Sequence, residues 1–259
     1  MFKLLLLSFK NQWSAQMRKP LEFFSSLLTI ILNNSFYLYG IYLLALLSIG
    51  DNPAATKEYL VSTGMVLVSW GLLNVFGGGL YQMASLIETG EIESYLAKPR
   101  SPLFLIAISK SNLVSFGDMI QGVATIILVI VLYGFQLGLQ ALASSVILTF
   151  AFAGVVILVG SCSFFSARGS QLSYVILNVV LTLSLFPIGR ALQGREKWIL
   201  YFTPLLMTAA LPRLAALYGK ASLFAASFIA TVGLCLIAVL LFNFGLKCYK
   251  SKNYIFLNE

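Results

Sequence analysis

Long apolar runs joined by short polar connections dominate the chain. A hydrocarbon core of roughly 30 Å needs about 20 apolar residues in an α-helix. By that measure, spans fall near residues 22–48, 59–86, 114–134, 140–165, 171–189 and 222–246. The connections, such as GDNPAATKEY, GFQLGLQ and SARGSQ, are rich in Gly, Pro, Asn and Ser, the residues of turns. A further apolar run, WILYFTPLLMTAALP at 198–212, is too short to cross alone and is interrupted by Pro204 and Pro212. It reads as a re-entrant or interfacial segment before the last span, where irregular backbone must be shielded by protein or water. No repeat is visible, and no stretch has room for an extramembrane domain. The pattern predicts an all-α polytopic membrane protein of six spans, a single transmembrane domain over 1–259.

Residues 1–20 follow a different period. On a helix turning about 100° per residue, Phe2, Leu6, Phe9, Trp13 and Met17 share one stripe, and Lys3, Lys10, Ser14 and Arg18 another. This predicts an amphipathic helix lying in the membrane interface, with Trp13 at headgroup level and the lysines reaching water or anionic lipid. The apolar core Leu4–Leu7 is too short for a secretory leader, and no small-residue cleavage site follows it.

Composition sharpens the class. Hydrophobic residues make up 59% and charged residues 10%, against roughly a quarter charged in soluble domains. The net charge of +8 is carried in clusters between apolar runs, a distribution that suits membrane topology and not a nucleic-acid face. With the N-terminus inside, eleven of the seventeen basic residues fall on the cytoplasmic side: Lys3, Lys10, Arg18, Lys19, Lys98, Arg100, Lys110, Arg168, Lys247, Lys250 and Lys252. That asymmetry predicts both termini in the cytoplasm. The external connection, 190–220, is basic at Arg190, Arg195, Lys197 and Arg213, a set suited to lipid headgroups or to attracting an anionic substrate.

Cys162, Cys235 and Cys248 are far apart and the chain has no histidine, which leaves little material for a zinc site, a haem ligand pair or a histidine-based triad. Amides inside spans are costly and face protein or a water-filled cavity. Asn33 and Asn34 in the first span, Asn74 in the second and Asn178 in the fifth are therefore either cavity-lining residues or interhelical hydrogen-bond formers. Asn33 and Asn34 lie about 100° apart, so only one of them is expected to face a given cavity. Lys110 and Asp118, near the start of span three, are expected at the interface or paired with other helices. Gly77, Gly78 and Gly79, with Gly154 and Gly160, suit close helix approach.

The densest charge lies in IETGEIESYLAKPRSPL, residues 87–103, between spans two and three. Gly90 breaks the preceding helix, Glu91–Ala97 has the length of about two turns, and Lys98 before Pro99 ends them. Thr89 stands where an N-cap would, and Glu91 and Glu93 suit the positive end of the helix dipole. Ile92 and Leu96 form a greasy edge suited to docking on another protein. The plainer alternative is a solvated connection with anchoring charges.

The run Gly90, Glu91, Ile92, Glu93, Ser94, Tyr95, Leu96, Ala97, Lys98, Pro99 resembles the loop of the ABC-2 type permeases, in particular their six-span branch. That loop tends to show glycine, an aliphatic, an acid, leucine, and a basic residue before proline. The stretch LFPIGRALQGREKWILYFTPLLMTAALP, 185–212, is similar to the family's proline-punctuated segment between spans five and six, with Phe186 where tyrosine is usual. The resemblance implies a permease subunit of an exporter in the bacterial cell (inner) membrane, working by alternating access. It further implies a coupling helix that meets a separate ABC ATPase through Glu91, Ile92, Glu93, Tyr95, Leu96, Lys98 and Pro99, and a second permease chain, identical or related. A substrate pathway lined by Asn33, Asn74 and Asn178 comes from the same reading. The chain has no GxxxxGK[ST] sequence; FGGGLYQ at 76–82 lacks the lysine. ATP and Mg are therefore expected in the partner, with no cofactor and no catalysis in this chain. The competing class is an ion channel or secondary transporter that needs no ATPase.

Overall fold

The computed structural model describes residues 2–50, 52–166, 168–186 and 204–249. They are predominantly helical, with no strand among them. Helix α1 spans Phe2–Gln16 and α2 spans Pro20–Ile49. Helix α3, Pro53–Gly77, is capped by Asn52, whose side chain accepts the Ala54 N–H at 3.0 Å while Pro53 occupies the first turn. A 3₁₀ turn, Gly78–Gln82, leads into α4, Met83–Thr89, so the second span is one broken rod from Pro53 to Thr89. The short α5 (Glu93–Leu96) and α6 (Pro102–Ser109) come next, then α7, Phe116–Tyr133. Helix α8, Phe135–Ser161, is separated from α7 by Gly134 alone, whose φ of 100° lies where a side chain is strained. Helices α9 (Gly169–Leu185), α10 (Pro204–Tyr218) and α11 (Ala221–Cys248) complete the described chain.

Among the described residues five stretches are long and apolar enough to cross a membrane: Pro20–Ser48, Pro53–Thr89, Leu113–Tyr133, Phe135–Phe164 and Ala221–Cys248. The fifth expected span, 171–189, corresponds to the shorter α9 of 17 residues, and its last three positions lie outside the described residues. The expected re-entrant run 198–212 is described only from Pro204. There α10 forms a helix that carries Pro212 in its interior and does not break at it. It packs against α8 and α11, burying Ala209, Ala215 and Ala216.

Helix α3 is the centre of the bundle. Val61, Met65 and Val75 are at most 1% exposed, and α7 and α8 pack along its flanks. The α3–α7 seam is backbone against backbone: a Cβ on Gly71 would lie 2.9 Å from the Met119 nitrogen, and one on Gly122 would lie 2.6 Å from the Val68 nitrogen. Small residues permit this approach where lipid provides no hydrophobic drive between helices. The periphery is greasy, as a lipid solvent requires: Leu21, Phe36 and Leu47 on α2 are 86%, 77% and 85% exposed.

Two glycines of the triplet, Gly78 and Gly79, serve close packing, whereas a Cβ on Gly77 would meet only ordinary contacts. At Gly79 a Cβ would overlap the Ile106 carbonyl oxygen on α6, a backbone atom with no rotamer to yield. Gly79→Ala is expected to lower stability by on the order of 3 kcal/mol, the upper range of overpacking costs. Gly40→Ala in α2, where a Cβ meets nothing within 4 Å, should be neutral or slightly stabilising. Thermal unfolding of the two variants in the same detergent checks the contrast.

Candidate functional site

At one end of the bundle, the segment after α4 forms a projecting loop with a fixed base. Gly90 ends α4 in the left-handed region at φ 82°, its N–H reaching the Ile87 carbonyl at 3.3 Å. The Ile92 N–H then closes on the Leu86 carbonyl at 3.0 Å. That closure uses 91–92 as a turn, so the next helix is the single turn Glu93–Leu96 and not the two turns expected over Glu91–Ala97. Thr89 does not cap it; its hydroxyl donates back to Ser85 within α4.

The greasy edge expected from Ile92 and Leu96 is divided. Ile92 is 0% exposed and sits in the protein's own core, so it anchors the loop from within, while Leu96 is 39% exposed. Glu91, Lys98, Pro99 and Arg100 are also exposed, and the Lys98 ammonium stands 5.0 Å over the Tyr95 ring. Glu93 faces the Tyr249 hydroxyl at 3.5 Å; burial, with the Glu93 carboxylate beside it, pushes that phenol above its ordinary pKa.

Glu88, on the last turn of α4, ties the loop to the fifth membrane helix. Its carboxylate accepts the Ser170 backbone N–H at 2.8 Å and the Ser170 hydroxyl. It thereby satisfies an orphan donor at the α9 N-terminus, where a negative charge also suits the helix dipole. Helix α1 secures the far side of the segment. Ser8 donates to the Ile108 carbonyl at 2.7 Å, and the Gln12 side-chain oxygen accepts the Ser111 N–H.

A second feature lies inside the bundle. A cavity of about 480 Å³ opens between α2, α3, α7 and α9, lined by Asn33, Asn34, Tyr37, Trp70, Asp118, Asn178 and Thr182, with Leu38, Val66, Leu67, Leu181 and Leu185 as apolar wall. Asn33 and Asn34 both border it, because a space of this size covers the 100° arc expected to separate them. The Asn34 amide donates to Asp118 at 2.6 Å, a hydrogen bond that joins α2 to α7. Thr182 donates to the Asn178 carbonyl at 2.8 Å, so in the Tyr37–Thr182 hydrogen bond the tyrosine supplies the proton. Asn74 is not in the lining: its side-chain amide donates back to the Trp70 carbonyl at 2.9 Å, and its backbone carbonyl accepts the Asn112 N–H.

Tyr37 and Thr182 are cavity residues that the search for amides passed over. Their spacing held the signal, since Tyr37 lies four residues after Asn33 and Thr182 four after Asn178, on the same helical stripes. Arg213, expected among exposed external cations, is instead buried, with its Nε 3.4 Å from Glu58 on α3 and its Nη1 donating to the Phe186 carbonyl at 2.9 Å. Arg190, Arg195 and Lys197 lie outside the described residues.

The Glu88 cap makes a local forecast. Glu88→Ala should cost about 1 kcal/mol, the usual loss for a helix N-cap, and should speed hydrogen exchange at Ser170 and its neighbours, while exchange along α3 stays unchanged. Amide exchange followed by mass spectrometry reads both.

Neither curated proteins nor solved structures gave a significant match to this sequence. The family described as "ABC-2 family transporter protein" does match, over residues 49–253, a range that runs from the end of α2 through the projecting loop, the cavity-lining α9 and all of α11. Matched over most of its length and built as a multi-pass helical bundle, the chain belongs to the ABC-2 family, the membrane permease subunits of ABC transporters.

Proposed function

We propose that this permease is the membrane half of an ATP-driven exporter, coupled through residues 91–99 to a separate ABC ATPase that binds ATP and Mg. The bundle end carrying that loop faces the cytoplasm in this reading, which puts both termini on the cytoplasmic side of a bacterial cell (inner) membrane. A second permease chain, identical or related, completes the pathway. Asn33 and Asn178 line it, together with Tyr37 and Thr182; Asn74 belongs to the framework.

The observation that carries the reading is the loop's division into a fixed base and an exposed tip. Ile92 and Glu88 fix it to the bundle, whereas Glu91, Leu96, Lys98 and Pro99 present charge and apolar surface outward. A loop that only joined two spans would not need such anchorage. A loop that receives force must be rigid at its base, and its tie to α9 connects the tip to a helix that borders the cavity. Alternating access then requires that nucleotide state and substrate favour different arrangements of the bundle.

The test is hydrolysis by the assembled complex. Glu91→Lys with Leu96→Asp should lower substrate-dependent ATP hydrolysis about tenfold, the effect of removing an interface anchor worth roughly 1.4 kcal/mol, with the permease still inserted and monodisperse. Unchanged hydrolysis in that variant would show that the loop tip does not couple. In vesicles, Asn178→Leu should reduce transport more than assembly, and Asn74→Leu should leave the transport rate of folded protein unaltered.

A further inference from the structure

The cavity between α2, α3, α7 and α9 has an uneven electrostatic design. Taking it as part of the transport path proposed above, a reading on which the inference rests, we propose that it receives a monovalent organic cation with an apolar body, whose charge is met by Asp118.

Asp118 is 7% exposed and borders the cavity. Its hydrogen bonds come from the Asn34 amide at 2.6 Å and the Ser115 hydroxyl. Both donors are neutral: they fill lone pairs but bring no positive charge. A carboxylate in a low-dielectric site needs a counter-charge as well as hydrogen bonds, and no lysine or arginine stands among the described lining residues. Arg213, buried at the far end of α3, is committed to Glu58 and the Phe186 carbonyl. Beyond the partial positive charge of the first turn of α7, in which it sits, an ionised Asp118 meets no formal positive charge in the lining, and a bound cation would supply it.

The walls specify the rest of that ligand. Trp70 and Tyr37 bring to the lining the aromatic rings that attract a cation, and Leu38, Val66, Leu67, Leu181 and Leu185 offer apolar surface. A volume of about 480 Å³ lies within the range of small-molecule sites. It far exceeds what a desolvated metal ion requires, and such an ion would need several oxygens converging at close range. Anions are selected against by the same carboxylate, since a like charge in this environment has nothing to offset it. Asn178 is exposed and Tyr37 is 45% exposed at the edge between α2 and α9, so the cavity opens on the side where the second permease chain is proposed to complete the pathway.

The experiment uses the full chain in lipid nanodiscs, with empty nanodiscs as background. Binding of tetraphenylphosphonium is compared with that of tetraphenylborate, an anion of nearly the same shape. The cation should bind at least about tenfold more tightly, in line with a partly buried charge pair. Asp118→Asn should abolish that preference with an unchanged elution profile, and Asp118→Glu should retain it. Leu181→Lys, which adds a positive charge at the wall and leaves Asp118 in place, should also weaken cation binding, and it serves if the Asp118 variants fail to fold. Equal binding of the two ions by the wild-type protein, or an intact preference in Asp118→Asn, would overturn the proposal. Cation preference without any transport by the ATP-driven complex would instead overturn the pathway reading and leave the cation site standing. Transport sensitive to Asn178→Leu without cation preference would do the reverse.

Discussion

In a chain whose solvent is largely hydrocarbon, every backbone N–H and C=O needs a partner within the protein, and this structure is organised around the place where that is hardest. The second span breaks at Gly78–Gln82, and the segment ahead of the third span is irregular from Lys110 to Asn112. The two breaks face each other. The Asn112 N–H reaches the Asn74 carbonyl at 2.9 Å, the Ser111 N–H reaches the Gln12 side chain, and Gly78 and Gly79 lie directly against the Lys110 and Ile106 carbonyls. Each break satisfies or shields the other, and α1 closes the remaining side.

That seal has mechanical consequences. Because α6 is fixed to the glycine turn and α4 is capped onto α9 through Glu88, the loop between them moves with the bundle and not independently of it. Packed cores respond to displacement by switching between arrangements and not by bending continuously. On the proposed coupling, a push at the exposed tip would be delivered to α9 and, through Asn178 and Thr182, to the cavity wall. The buried Glu58–Arg213 pair holds the opposite end, linking α3, α10 and the end of α9. Breaking one partner of such a pair leaves an uncompensated charge, so this end is expected to resist movement more than the end that bears the loop.

Much of this architecture was legible in the chain. Apolar run length located the membrane helices, and Gly90 and Pro99 bracketed the loop, since both act through local backbone geometry that sequence encodes directly. Pairings across space were not. The burial of Ile92 depends on a hydrogen bond to Leu86 that only the folded α4 supplies. Arg213 reads as a surface cation until α10 is placed against α3, and Asn74 reads as a cavity amide until its side chain is seen bonded back to the Trp70 carbonyl. The cap by Glu88 spans 82 residues of sequence and leaves no local trace. Asn33 and Asn34 show the opposite error, in which a correct angular argument failed because the cavity is wider than the arc.

The central claim is that the tip of the 91–99 loop touches a soluble ATPase. Single cysteines placed at Leu96, at Ile92 and at Gly134, the last at the opposite end of the bundle, on a background lacking Cys162, Cys235 and Cys248, test it directly by cross-linking in native membranes containing the ATPase. The account expects a permease–ATPase adduct from position 96 that changes in yield with ATP, and none from the buried position 92 or from position 134. An adduct from position 134 with none from position 96 would contradict it.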